Sequence, residues 1–263
     1  GHQRQVGQAP APGASVKLRD KVGVVTGSGG GSGAAIARRF TAEGARVVVT
    51  DIDSVAVQRV SAEIGTVGVA GDITEVATVK AVAELARSSY GEVDIWFSNA
   101  GYAGPRQPGQ LQDDAVWELS WQLHVMAHLR AARAVLPAML DRGDGYLIQT
   151  ASVVALATQP DKAAYSVTKH AALALAEWLA KTYGPKGITV SCFCPGPMLT
   201  PMLLSNDFPP DHPVLNSAAT PDEVADRLVH AIDDERFLIL DSALGLESLA
   251  AKASDYEKWI AGD

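Results

Sequence analysis

The sequence predicts an α/β fold: a doubly wound parallel sheet with helices on both faces, a three-layer α/β/α arrangement in a single domain. Three observations carry this. From Lys21 onward, short β-branched runs alternate with longer helical segments. The short runs are apolar almost throughout, as parallel strands covered on both faces require. The chain, with 263 residues, 47% hydrophobic and 20% charged, has the size and composition of one large globular domain, and no linker or repeat divides it.

The elements follow in order. A strand is expected over 22–26, a helix over 32–43, a strand over 46–50 and a helix over 55–64. Strands over 67–70 and 93–98 flank a helix over 75–90. A long helix over about 113–141 leads to a strand over 146–150, and a helix over about 162–183 leads to one over 188–194. Thr220 and Pro221 read as N-cap and first position of a helix over 221–233. A short strand over 237–240 follows. Leu246, Leu249, Ala250, Ala253 and Ile260 then form a helical stripe near the end. Residues 1–16, rich in Gln, Ala, Pro and Gly and without a signal peptide's apolar core, are expected to be a flexible tail, leaving 17–263 as the domain.

Between the first strand and its helix stands Thr26-Gly27-Ser28-Gly29-Gly30-Gly31-Ser32-Gly33. Glycines let the chain turn sharply there and bring its backbone against a pyrophosphate, which the free N–H groups and dipole of the helix start would hold. Asp51 ends the second strand, 18 residues after Gly33, where a carboxylate accepts hydrogen bonds from the adenosine ribose hydroxyls. A carboxylate there repels a 2′-phosphate. Ile52 and Asp53 follow it and the glycine turn holds no basic residue, so NAD is expected in preference to NADP.

Tyr165 and Lys169, four apart on a helix, share a face. An ammonium beside the phenol, with the positive ring of an oxidised nicotinamide, favours phenolate. Tyr165 could then serve as general base or acid. Ser152, at the end of the fifth strand, could hydrogen-bond and polarise a substrate oxygen.

In its motifs and their order the chain resembles the short-chain dehydrogenase/reductase family, in its shorter-subunit branch, from about Lys21 to Leu240. The glycine turn has that family's T-G-x-x-x-G-x-G spacing, on Gly27, Ser28, Gly31, Ser32 and Gly33. Tyr165 to Lys169 matches its Y-x-x-x-K motif, and Ser152 stands 13 residues before Tyr165. The resemblance implies a Rossmann-like fold and an oxidoreductase acting on CH–OH groups. It implies further cofactor contacts at Ile52 beside Asp51, at Asp72 and Ile73, and at Asn99, Ala100 and Gly101. Pro195, Gly196, Met198 and Thr200 would face the nicotinamide, whose ribose Lys169 would hold. The chain departs from the family at His124, where an asparagine usually holds a water linking the lysine to solvent. Two roles follow for His124: joining the proton relay itself, or a structural role.

The family carries its variable substrate lid at about 199–218. Here Met202, Leu203, Leu204, Phe208, Pro209, Pro210, Val214 and Leu215 make it apolar, with Asp207, Asp211 and His212 as its strongly polar members. With Val153, Val154, Ala155 and Leu156 after Ser152, this suggests a hydrophobic secondary alcohol or ketone, unless these residues pack against the domain. The lid holds no Arg or Lys, which disfavours phosphorylated or acyl-carrier-bound substrates.

A net charge of −8, without Lys/Arg clusters, disfavours nucleic acid and anionic membranes as partners, and no apolar run is long enough to span a bilayer. The only cysteines, Cys192 and Cys194, lie in a strand-like run and read as core packing. No metal site is expected, and the cytoplasm is the expected compartment. The family's helix contacts imply a homodimer or homotetramer. Two alternatives stand beside the NAD-dependent enzyme: an NADP-linked carbonyl reductase, and a catalytically weak nucleotide-sensing protein on the same fold.

Overall fold

A computed structural model of the chain describes Ser15 and residues 17–206, 208–241 and 243–262. Seven parallel strands form one sheet: β1 (Val22–Thr26), β2 (Arg46–Asp51), β3 (Val67–Ala70), β4 (Ile95–Ser98), β5 (Gly145–Thr150), β6 (Ile188–Cys194) and β7 (Leu238–Leu240). Their order is β3-β2-β1-β4-β5-β6-β7. The chain therefore reverses its direction of winding between β1 and β4. A crevice opens at such a point beyond the carboxyl ends of the strands, where open α/β sheets bind ligands.

The fully apolar strands are explained by what covers them. On one face, α3 (Val76–Ser89), α5 (Ala127–Arg142) and α6 (Ala163–Tyr183) bury Val79, Ala131, Met139 and Leu179 against Trp96 and Leu147. On the other, α1 (Gly31–Ala42), α2 (Ser54–Ile64) and α9 (Pro221–Asp233) bury Phe40, Val60 and Leu228 against Phe97, Ile148 and Phe193. Both faces of each central strand are thus dry, which is why alternation is missing from the sequence. Asp53 caps α2, and a Thr220/Glu223 capping box starts α9 as the sequence suggests.

Three features differ from expectation. The long middle helix is α4 (Asp114–Trp121), a π-helical turn over Gln122–Met126 and then α5, because one wide turn inserts without changing the apolar stripe. The lid contains two short helices, α7 (Pro201–Leu204) and α8 (Pro213–Asn216), each started by a proline. The last stripe forms α10 (Leu244–Ser254) and α11 (Tyr256–Ala261), but Leu246 and Ile260 stay exposed instead of facing the sheet. Of the expected tail, residues 1–14 and 16 lie outside the described residues, as does Asp207 of the lid. Ser15 is buried: its N–H donates to Glu43 Oε2 at 2.7 Å and its hydroxyl to Asp233 Oδ1 at 2.8 Å.

Candidate active site

The glycine turn lies at the end of β1, facing the end of β4. Gly27 has φ 65°, and a Cβ there would stand 2.8 Å from Ala100 Cα. A Cβ on Gly33 would stand 2.1 Å from Gly27 O, so the helix packs on its own turn only because Gly33 lacks one. Gly30, by contrast, has open space where a Cβ would go, and it caps α1 without any side-chain hydrogen bond. The start of α1 therefore presents backbone N–H groups to an open cradle, which fits a pyrophosphate. Ser28 differs from its expected role. Its hydroxyl is turned inward, donating to Val25 O at 2.7 Å and accepting from Thr50 N–H at 3.0 Å, so the side chain shapes the turn.

Around this cradle stand the other expected cofactor residues. Asp51 Oδ2 accepts from Gly29 N–H at 3.0 Å, which holds the carboxylate under the turn. Ile52 beside it is 74% exposed, an apolar surface open to a planar ring. Asp72 Oδ1 binds Thr74 N–H and hydroxyl, while Ile73 is buried. Asn99 and Ala100 donate their backbone N–H groups to Thr26 Oγ1, and Asn99 Nδ2 donates to Thr26 O, tying β4 to β1. Ser32 Oγ reaches Asn99 Oδ1 at 3.4 Å. Gly101 borders the Lys169 ammonium, with its site for a Cβ 3.8 Å from Nζ. Pro195 O accepts from Val153 N–H, Gly196 N–H donates to Asp241 Oδ1, Met198 bridges to Ala219, and Thr200 lies over Gly31. This segment thus spans from the Ser152 loop to the glycine turn.

Ser152, Tyr165 and Lys169 come together at the carboxyl end of β5. Ala151 N–H donates to Phe193 O at 2.7 Å, which pins the segment carrying Ser152 to β6. The nearby Ser152 hydroxyl pulls the Tyr165 pKa down, but burial outweighs this and leaves the phenol above its ordinary value of 10.0. The fall expected from a neighbouring ammonium is not reached in the chain by itself. Lys169 Nζ stands 5.5 Å from the ring centroid, donates to Thr150 O at 3.2 Å, and is itself pushed down to about 8 by burial. Cys192 and Cys194 lie in the same apolar layer, with Sγ atoms 3.8 Å apart.

His124 is held by fixed partners on both ring nitrogens. It is fully buried on the π-helical turn, edge-on to Tyr165 with ring centroids 5.6 Å apart. Tyr102 N–H donates to Nε2 at 3.0 Å, which makes that nitrogen an acceptor and leaves the hydrogen on Nδ1. Nδ1 then donates to Thr168 Oγ1 at 2.8 Å, and that hydroxyl donates onward to Ala164 O at 2.7 Å. Both ring nitrogens are committed to fixed partners. Burial and the Lys169 charge hold the ring well below its ordinary pKa, so it stays neutral. His124 pins the loop after β4 to the helix carrying Tyr165.

Other residues reach the site without a motif to announce them. Arg59, on α2, donates to Gly29 O at 2.8 Å, which puts a guanidinium at the glycine turn where the sequence places no basic residue. Lys162 and Arg106 flank the lid from outside it. Lys162 Nζ is 3.3 Å from Asn206 Oδ1 and 6.0 Å from the Tyr165 ring centroid. Arg106 pairs with Asp161 and lies 4.9 Å from the Phe208 ring centroid. A cavity of about 630 Å³ opens there, lined by Gly101–Arg106 together with Met202, Ser205 and Asn206.

A doubly wound sheet with a glycine cradle at its switch point and a serine–tyrosine–lysine set beside it defines a dinucleotide-binding enzyme scaffold. The chain matches the short chain dehydrogenase family model over residues 21–207 and belongs to that family. The 1-deoxy-11-beta-hydroxypentalenate dehydrogenase of Streptomyces exfoliatus is 32% identical over 240 residues, covering 86% of this chain and 84% of that one. Among solved structures, a short chain dehydrogenase/reductase from Burkholderia phymatum in complex with NAD aligns with a TM-score of 0.80 at 27% identity, over 92% of this chain and 95% of that one. The L-sorbose reductase of Gluconobacter frateurii, complexed with NADPH and L-sorbose, aligns with a TM-score of 0.74 at 31% identity, over 84% and 95%.

Proposed function

We propose that this chain is an oxidoreductase transferring a hydride between NAD and an apolar secondary alcohol or its ketone. One observation carries the reading: the Lys169 ammonium stands 5.5 Å from the Tyr165 ring centroid and donates to Thr150 O, at the strand end that leads into Ser152. The cofactor, when bound, supplies the hydride acceptor and, oxidised, a positive ring charge. In oxidation the carbinol O–H proton would pass to the Tyr165 oxygen. In reduction Tyr165 returns that proton to the forming alkoxide. Ser152 orients and polarises the substrate oxygen. Lys169 favours phenolate by its charge and is suited to hold the nicotinamide ribose.

Asp51 under the glycine turn supports NAD, since it stands where a 2′-phosphate would meet a carboxylate. Arg59 at Gly29 favours a second reading, in which NADP is also accepted. Met202 and Leu204 of the lid are 42% and 58% exposed, which supports an apolar substrate, because they are not consumed in packing. Exposed Val167 and Trp178 on α6 support a second copy of the chain as partner, and two free buried thiols suit a reducing compartment such as the cytoplasm.

The test is reduction of NAD⁺ or NADP⁺ by a panel of apolar secondary alcohols, followed by the absorbance of the reduced nicotinamide, with Tyr165→Phe as control. Turnover that falls by about 10²-fold or more in the variant supports the reading. Cofactor binding without turnover across the panel would replace it with nucleotide sensing.

A further inference from the structure

Lysine is almost never fully buried without a partner, because its ammonium gives up hydration that only hydrogen bonds or an opposite charge restore. Lys162 stands directly before α6 with only 6% of its surface exposed. Its ammonium has three donors. Among the described residues its hydrogen-bond partner is Asn206 Oδ1, a neutral oxygen at 3.3 Å, and no described carboxylate lies within salt-bridge distance. The same Nζ stands 6.0 Å from the Tyr165 ring centroid, and its partner Asn206 lines the 630 Å³ cavity.

Arg106 lines this cavity from the opposite loop. Its Nε is given to Asp161, and its guanidinium lies 4.9 Å from the Phe208 ring centroid. Gln107 N–H donates to Asp161 O at 2.8 Å, which fixes the loop that carries it. Among the described residues, Lys162 and Arg106 face one carboxylate, Asp161, next to apolar Met202 and Phe208.

We propose that Lys162, assisted by Arg106, is an anion subsite of the substrate pocket, so that the substrate class is an apolar hydroxy acid or the matching keto acid. The carbinol lies against Ser152 and Tyr165 while the carboxylate replaces or joins Asn206 on Lys162. This rests on the dehydrogenase reading for the carbinol end only. A charge-assisted hydrogen bond in a water-poor pocket is the strong kind, and it selects the acid over neutral analogues of the same shape.

The test is calorimetric titration of the full chain, with NADH present, by cyclohexanecarboxylate and by its neutral isostere cyclohexanecarboxamide. The expected result is about tenfold or more tighter binding of the acid, a preference lost in Lys162→Met and kept in Lys162→Arg. Equal affinities, no binding of the acid, or a preference that survives Lys162→Met would each overturn the proposal. Retained NADH binding reports that the variants fold, and the wild-type comparison alone decides against the subsite if the two ligands bind equally. The dehydrogenase reading fails separately: hydroxy acids and plain alcohols would then give no reduced cofactor although the acid still outbinds the amide.

Discussion

At the scale of single residues, His124 separates positioning from proton transfer. Its two nitrogens connect Tyr102 N–H to Thr168 Oγ1, and so join the loop after β4 to the helix that carries Tyr165 and Lys169. His124→Ala leaves the Tyr102 N–H without its acceptor, at a cost of about 1–3 kcal/mol. The expected outcome is a lower Tm and a lower kcat, with the pH midpoint of kcat unmoved. A shifted midpoint at unchanged stability would instead mean that the imidazole titrates in the reaction. Helix spacing puts Tyr165 and Lys169 on one face, and the strand end together with the family resemblance pointed to Ser152 beside them. Lys162, Arg106 and Arg59 were not legible in the sequence. Each acts through a long side chain whose direction depends on packing absent from its local sequence, and Lys162 and Arg106 approach the lid from outside its own residues, which include no Arg or Lys.

At the scale of elements, the strands were legible because parallel strands with two dry faces leave unbroken apolar runs, as in Val22–Thr26. The π-helical turn at Gln122–Met126 was hidden because helix periodicity survives it. That turn and the start of α5 carry two buried histidines, four residues apart. His128 is 1% exposed, and neither ring nitrogen has a hydrogen-bond partner among the described residues. Burial, then the Lys169 charge, pushes it from 6.5 down to about 3. The unfolded chain binds a proton there below about pH 6.5, and the folded chain only near pH 3. Stability from this group is therefore complete above pH 6.5 and is lost as pH falls, at about 1.4 kcal/mol per unit. His128→Leu should flatten the acid side of the stability curve, by about 2 kcal/mol between pH 6.5 and 5. Denaturant titrations at the two pH values check this, and parallel curves for the two proteins would refute it.

For the whole molecule, the doubly wound parallel sheet was implied by the alternating strand and helix pattern, whereas which helix faces stay uncovered required coordinates. One face of α6 packs on the sheet through Ala172, Ala176 and Leu179. The opposite face exposes Val167 at 49% and Trp178 at 55%, eleven residues and three turns apart, with Ala171 and Ala174 between them. Neighbouring α4 exposes Leu119 and Trp121 at 43% and 41%. Large apolar ends around a small-residue centre let a second helix approach closely, and a patch of this kind on a globular chain marks an interaction surface. A second copy presenting the same face would cover it through a two-fold interface. Trp178→Glu, paired with Val167→Glu, puts like charges at both ends of that contact. Light scattering should then report the monomer mass for the double variant and a multiple of it for the wild type, with NADH binding retained. An unchanged mass would mean that the oligomer, if one forms, is built on another face.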